Sequence, residues 1–163
     1  MASVSLVANS FSDPAPNGRA ADIVRGVQRM FAEAGLASLT EVTLANGRRA
    51  DVMAVGPKGE IVIVEVKSCL QDFRTDQKWP EYAPYCDRFY FAIDCDFPQE
   101  RIPEGTGLMC CDGFGGAVLR ECQHAPLNAA RRKAVTLSFA RLAAARLLRT
   151  ANAGASAAEP AID

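Results

Sequence analysis

The chain has 163 residues, 49% of them hydrophobic, and a formal net charge of −1 at pH 7. This is sufficient for one packed domain and gives no global sign of nucleic-acid binding. No apolar stretch is long enough to cross a bilayer, and the six cysteines and single histidine show no metal-ligand spacing, so we expect no membrane association, zinc site or disulfide framework.

The predicted elements run helix, three strands, helix, strand, a strand pair and a long C-terminal helix. Their expected ranges, from apolar periodicity and turn signals, are 18–34, 39–44, 48–55, 60–68, 69–79, 87–93, 108–122 and 126–149. This order predicts an α/β fold in which helices flank a mixed sheet. We expect one domain over 17–149, a flexible segment at 1–16 and a disordered tail at 150–163.

Three polar residues stand in the second and third predicted strands. Asp51 lies in the second, and Glu65 and Lys67, two residues apart, share one face of the third. If Gly56 pairs with Glu60 across the turn, Asp51 falls opposite Glu65. Charged groups in a half-buried sheet need a partner, and paired carboxylates suit Mg²⁺. The alternative is an ion cluster that only stabilises the fold.

A further acidic ligand has three candidates, which are Glu41 in the first strand and Asp22 and Glu33 in the first helix. Asn46-Gly47 predicts a tight turn between the first two strands. A two-residue turn would direct Glu41 away from the face of Asp51, and a longer turn would reverse that. Glu41 is favoured slightly because an acid within a strand requires more explanation than one on the polar side of a helix.

Asp51 followed by Glu65-Val66-Lys67 resembles the motif of the PD-(D/E)XK nuclease superfamily, with Ala50 where the motif has proline. The element order also resembles the core of that restriction-endonuclease-like fold. The segments GRRADVMAVGPKGEIVIVEVKS, DFRTDQKWPEYAPYCDRFYFAI and ARRKAVTLSFARLAAARLL are similar to MmcB-type DNA-repair proteins. This resemblance covers roughly residues 18–149.

The resemblance implies a metal-dependent DNA endonuclease in DNA repair. Since the sequence shows no secretory signal, we expect a cytoplasmic protein, associated with the nucleoid when it acts. Asp51, Glu65 and the backbone carbonyl of Val66 would hold Mg²⁺ or Mn²⁺, with Glu41 as a further ligand. Lys67 would position the attacking water. The alternative is a non-catalytic module that keeps the fold and binds DNA or recruits other repair proteins.

Candidate DNA contacts fall in three groups: Arg48 and Arg49 beside Asp51; Lys78, Trp79 and Tyr82 after the third strand; and Arg131, Arg132 and Lys133 in the C-terminal helix. Basic side chains would contact phosphates, and the two rings would stack on bases. For Trp79 we favour packing against the sheet, since aromatic residues usually lie in cores.

The C-terminal helix has two apolar strips. We expect Ala134, Leu137, Ala140, Ala144 and Leu148 to face the core, which leaves Val135, Phe139 and Leu142 as a second strip among arginines. A helix of this kind is covered on its second side by a partner or by a second copy, so a homodimer through this helix is one expectation.

Overall fold

Six strands form one mixed sheet whose strand order, β1 to β6, follows the chain. The computed structural model describes residues 16–70 and 78–156. The strands are Ala37–Thr43 (β1), Arg49–Val55 (β2), Ile61–Lys67 (β3), Arg88–Ile93 (β4), Gly107–Cys111 (β5) and Gly116–Arg120 (β6). Helix α1 spans Pro16–Glu33 and helix α2 spans Ala129–Ser156, with 3₁₀ helices at Trp79–Tyr85 and Gln99–Arg101.

The pairing confirms the predicted mixed α/β fold. Strands β1 to β3 are antiparallel, β3 to β5 are parallel, and β6 returns antiparallel to β5. Most of the helix predicted at 69–79 lies outside the described residues, as does the segment 1–15. Pro80 and Pro84 lie within the first 3₁₀ helix, where residues that lack an N–H cannot support an α-helical ladder.

The two faces of the sheet carry separate apolar cores. On one face α1 contributes Ile23, Val27 and Phe31, which pack on β2 to β5. On the other face lie the 3₁₀ helix Trp79–Tyr85 and Val135 of α2. Strand β3 therefore reads as an unbroken run of buried residues from Ile61 to Val64, because both of its faces are covered.

The predicted orientation of the C-terminal helix is wrong. Val135 is buried and Phe139 and Leu142 pack on the core, whereas Leu137 and Leu148 are 57% and 62% exposed. The helix also continues to Ser156, beyond the predicted end at Arg149. Within the described part of the chain, no helix has the length and apolar character needed to cross a membrane.

A buried ion pair fixes the start of α2 against the sheet. The Asp87 carboxylate, which is inaccessible to solvent, accepts two hydrogen bonds of 2.6 Å from the Arg132 guanidinium. It also accepts bonds from the backbone N–H groups of Ile61 and Leu127. These bonds outweigh the effect of burial, which alone would raise the pKa of Asp87, and lower that pKa to about 2.

Candidate functional site

The register of the β2–β3 hairpin places Asp51 opposite Glu65, as predicted. The Gly56 amide donates to the Glu60 carbonyl at 2.9 Å, and the ladder continues from Val55↔Ile61 to Val52↔Val64. The next residues along each strand are Asp51 and Glu65. One turn therefore determines that the two carboxylates meet at the end of this hairpin.

The turn between β1 and β2 is the longer of the two alternatives. The Leu44 amide donates to the Arg48 carbonyl at 2.7 Å, so three residues, 45–47, form the loop. Gly47 has a φ of 81°, which glycine adopts without steric cost. In this register Thr40 pairs with Val52 and Val42 pairs with Ala50, which brings Glu41 opposite Asp51.

Both strands change faces at the Glu41–Asp51 position. Ala50 and Met53 belong to the core on the α2 side, whereas Val52 and Ala54 belong to the core beneath α1. Such a break in alternation requires an irregular backbone, and Glu41 supplies it with a φ of 49°. This conformation costs a residue with a side chain about 1 kcal/mol or more.

At this irregularity, side-chain carboxylates replace the backbone acceptors of the β2–β3 ladder. A continuing ladder would direct the Val66 amide toward Ala50. Instead, the Val66 amide donates to Asp51 Oδ2 at 2.8 Å, and the Asp51 amide donates to Glu65 Oε1 at 3.3 Å. The regular β2–β3 pairing therefore ends at Val52↔Val64. We call the point beyond it, where the Asp51 and Glu65 carboxylates lie between the two strands, the fork.

Burial and a neighbouring carboxylate both disfavour the charged form of Glu65 at the fork. Burial and the neighbouring Asp51 carboxylate raise the pKa of Glu65 to about 8, although Lys67, the Tyr82 hydroxyl and the Asp51 amide act in the lowering direction. Glu65 and Lys67 are each only 5% exposed. Asp51, Glu65 and Lys67 are therefore close neighbours, as the sequence predicted, and their roles in chemistry remain predictions.

The donor chemistry of the fork suits a hard divalent cation. Mg²⁺ is commonly held by one or two carboxylates and keeps several waters. Among the described residues, however, there is no group of three or more side chains of the metal-ligating types. Within the described ranges, the carboxylates that the fork itself offers to such an ion are those of Asp51 and Glu65.

In the part of the chain that the structure describes, none of the three candidate third acids forms a three-member metal-ligating group with Asp51 and Glu65. The Glu41 side chain is 67% exposed and approaches Arg49 at 3.9 Å. Asp22 pairs with Arg25 and lies beside Gly113 in the β5–β6 turn. Glu33 is exposed in the last turn of α1.

An open cleft of about 540 Å³ lies between α1 and the fork. Strand residues Thr40, Glu41, Asp51, Val66 and Ser68 line one side of it. From α1 come Ala20, Ala21, Val24, Arg25 and Gln28. The sequence interpretation missed Gln28 and Arg25, because a polar residue on a helix ordinarily faces solvent and nothing local indicates a cleft.

The comparisons with known proteins agree with this architecture. The family model for the DNA repair protein MmcB-like family matches residues 7–154. The chain belongs to the MmcB-like family of DNA repair proteins. SPO1766, a protein of unknown function from Silicibacter pomeroyi, is 37% identical in sequence and superposes with a TM-score of 0.79 over 93% of this chain and 99% of that one. No curated protein matches the chain.

Several predicted DNA contacts are engaged within this MmcB-like chain. Arg48 forms a bidentate pair with Glu81 at 2.7 and 2.8 Å. Arg132 is committed to Asp87 and to the carbonyl of Gly59. These two arginines hold elements together in this conformation, and a DNA contact by either of them stays a prediction.

The two aromatic candidates pack on the sheet. Trp79 and Tyr82 both stack on Phe89, with ring centroids 5.9 and 5.7 Å away. Tyr82 is buried, and its hydroxyl donates to the Arg49 carbonyl at 3.1 Å as well as contacting Glu65. The favoured interpretation of Trp79 as a packing residue agrees with the structure, and a buried Tyr82 ring is not placed to stack on a base.

The other basic candidates remain on the surface. Lys78 and Lys133 are exposed, and the Arg49 side chain is 63% exposed. Arg131 is exposed and lies 5.0 Å from the ring centroid of Tyr85. These four side chains remain candidates for phosphate contacts.

Proposed function

We propose that this MmcB-like protein is a metal-dependent DNA endonuclease of the PD-(D/E)XK, restriction-endonuclease-like superfamily. The observation that carries the proposal is the fork itself, where Asp51 and Glu65 replace the backbone acceptors of a sheet ladder. A purely structural ladder would close with backbone bonds. A site that keeps two carboxylates in unfavourable proximity gains most from a bound cation.

Asp51, Glu65 and the Val66 carbonyl would hold Mg²⁺ or Mn²⁺ at the fork. Such an ion polarises a phosphate oxygen and lowers the pKa of bound water. Lys67, buried beside Glu65, would orient the attacking water and stabilise negative charge on the phosphate. Tyr82, whose hydroxyl contacts Glu65, would limit the movement of that side chain.

Metal binding is the first test. Calorimetry with Mn²⁺ should show binding to the wild type that is lost in the Asp51→Asn/Glu65→Gln double variant. Glu81→Gln is a matched control, because that carboxylate is 48% exposed and pairs with Arg48. Mn²⁺ binding that survives in the double variant would refute the assignment of the metal site.

Nuclease activity is the second test, with forked, single-stranded and damaged DNA as substrates. The wild type should cleave at least one substrate in the presence of Mg²⁺ or Mn²⁺, and Glu65→Gln should abolish that cleavage while Glu81→Gln retains it. Cleavage that persists in clean Glu65→Gln protein would refute the active site at Glu65, and a wild type that cleaves none of these substrates would refute the nuclease assignment.

A non-catalytic module for DNA binding or protein recruitment is the second candidate. Two observations favour it, namely the two-carboxylate site among the described residues and the exposed Leu137, Leu147 and Leu148 on the outer side of α2. Exposed leucines on one helix suit a partner protein or a second copy. Salt-sensitive DNA binding without cleavage of any substrate would support this alternative. So would a dimer, detected by light scattering, that Leu137→Glu disrupts.

A further inference from the structure

A single side chain from the C-terminal helix contacts the irregularity that opens the fork. The Arg146 guanidinium donates to the Thr40 carbonyl at 2.6 Å and to the Glu41 carbonyl at 3.0 Å. It spans more than 100 residues of sequence to reach two consecutive carbonyls of β1. Charge-assisted bonds of this kind are stronger than neutral ones and are directional.

We propose that Arg146 is a positioning residue for the Asp51–Glu65 site, because it holds Glu41 in the left-handed conformation. The functional consequence for metal binding rests on the proposed function. The structural part, which concerns the geometry of the fork, stands on the contacts alone.

The Glu41 backbone conformation is energetically costly. A φ of 49° is rare for glutamate, and surrounding contacts must hold it. Arg146 binds the Thr40 and Glu41 carbonyls, which belong to the two peptide units on either side of the Glu41 Cα. Few other groups could do this, because β1 is an edge strand with a neighbour on one side only.

The conformation of Glu41 affects Asp51 because the two residues lie opposite each other, between the pairs Thr40↔Val52 and Val42↔Ala50. If Glu41 relaxed to an extended conformation, regular alternation would return to β1 and β2. The Asp51 carboxylate would then leave the Val66 amide, and the Asp51 amide would leave Glu65.

Hydrogen exchange of the Val66 amide measures this effect without any metal. Arg146→Met removes the donors but keeps an unbranched side chain, and we expect Val66 exchange to accelerate about tenfold or more. Arg149→Met is the matched control, because Arg149 is exposed on the same helix, and it should leave Val66 exchange unchanged. Unchanged exchange in Arg146→Met would overturn the proposal.

A rescue distinguishes positioning from a general loss of stability. Glycine adopts positive φ without steric cost, so Glu41→Gly in the Arg146→Met background should restore slow exchange at Val66. Glu41→Gly alone reveals any effect of losing that carboxylate. If the double variant exchanges as fast as Arg146→Met, Arg146 does not act through the Glu41 conformation. Should Arg146→Met fail to fold, Arg146→Lys, which keeps one cationic donor, takes its place and should accelerate exchange less.

Mn²⁺ calorimetry on the same variants tests whether the Arg146 contacts with Thr40 and Glu41 affect the proposed metal site. We expect the dissociation constant to rise about tenfold in Arg146→Met and to recover in the double variant. If the wild type binds no Mn²⁺ while Val66 exchange follows the pattern above, the metal site fails and the positioning role stands. If Mn²⁺ binds equally well to wild type and Arg146→Met, the functional consequence is refuted.

Discussion

Two buried carboxyl groups, Glu65 in β3 and Asp87 just before β4, have opposite electrostatic settings. Asp87 faces a guanidinium and two backbone amides, and its pKa falls to about 2. Glu65 is buried beside another carboxylate, and its pKa rises to about 8. The shift at Asp87 follows from an ion pair that holds the fold together. A raised carboxyl pKa beside a like charge is common at functional sites, and this property motivates the site proposed at Glu65.

The raised pKa of Glu65 predicts a pH dependence of stability in metal-free protein. Between pH 4.5 and about 8 the folded state binds the extra proton, so stability falls as pH rises through this window and levels off above it. Relative to Glu65→Gln, the wild type should lose up to about 1.4 kcal/mol for each pH unit within the window. Urea unfolding with EDTA from pH 5 to 9 measures this, and parallel curves for the two proteins would contradict it.

Breaking the Asp87–Arg132 pair should lower the free energy of unfolding much more than breaking a comparable surface pair. Asp87→Asn leaves the half-buried Arg132 guanidinium without its counter-ion, which should destabilise the protein by about 3 kcal/mol. Glu81→Gln breaks another bidentate pair whose carboxylate is 48% exposed, and its cost should stay within about 1 kcal/mol. Urea unfolding at pH 7 compares them, and equal costs would refute the structural role of Asp87.

The sequence predicts some of these residues better than others. The Gly56–Glu60 turn was sufficient to bring Asp51 opposite Glu65, since a hairpin register follows from local turn geometry. The partners of Arg132 and Tyr82 were missed, because each contact joins elements distant in the chain. A basic side chain in a sequence predicts phosphate contact and ion pairing equally well.

In helix α2, the helical wheel alone assigns the wrong apolar strip to the core. Both of its strips are apolar, and the strip of alanines and leucines is the more regular. The structure buries the other strip, because the bulkier Val135 and Phe139 fill the space above the sheet while Arg132 and Arg146 on the same side reach carbonyls and Asp87. A rule that places every charged residue on the surface does not predict arginines on the core-facing side of a helix.

Paired substitutions in α2 test this orientation. Val135→Ala removes two buried methyl groups and should cost about 1–2 kcal/mol. Leu137→Ala truncates a side chain that is 57% exposed and should change the free energy of unfolding by less than about 0.5 kcal/mol. Chemical denaturation compares the two, and a larger cost for Leu137→Ala would restore the orientation expected from the sequence.

The strand irregularity was beyond sequence reasoning for a related reason. Glutamate has no preference for positive φ, so nothing at position 41 indicates the left-handed conformation. The sequence is compatible with either Glu41 or Val42 opposite Asp51, and the three-residue loop places Glu41 there. The element order and the sheet were predictable from apolar periodicity, whereas the fork depends on a contact from the far end of the chain.

At the scale of the whole molecule, charge is distributed unevenly. The net charge is −1, yet no acidic residue occurs between Cys122 and Ala158. Arg132 and Arg146 of this segment are used within the fold. The remaining basic side chains, Arg131, Lys133, Arg141 and Arg149, are exposed on α2. An acidic chain can thus present a basic surface to a DNA backbone or to an acidic partner.

This distribution predicts how salt affects DNA binding. If α2 contacts the backbone, Lys133→Ala/Arg141→Ala should weaken binding and reduce the slope of log K against log salt by about 0.9 for each lost phosphate contact on duplex DNA. Lys58→Ala/Arg101→Ala removes the same charge from exposed positions at the β2–β3 turn and the second 3₁₀ helix. Fluorescence anisotropy between 50 and 200 mM salt, the range over which phosphate contacts are most visible, distinguishes the two double variants. Equal changes in slope would mean that net charge alone governs binding, whereas a change confined to the α2 variant would place the DNA along this helix.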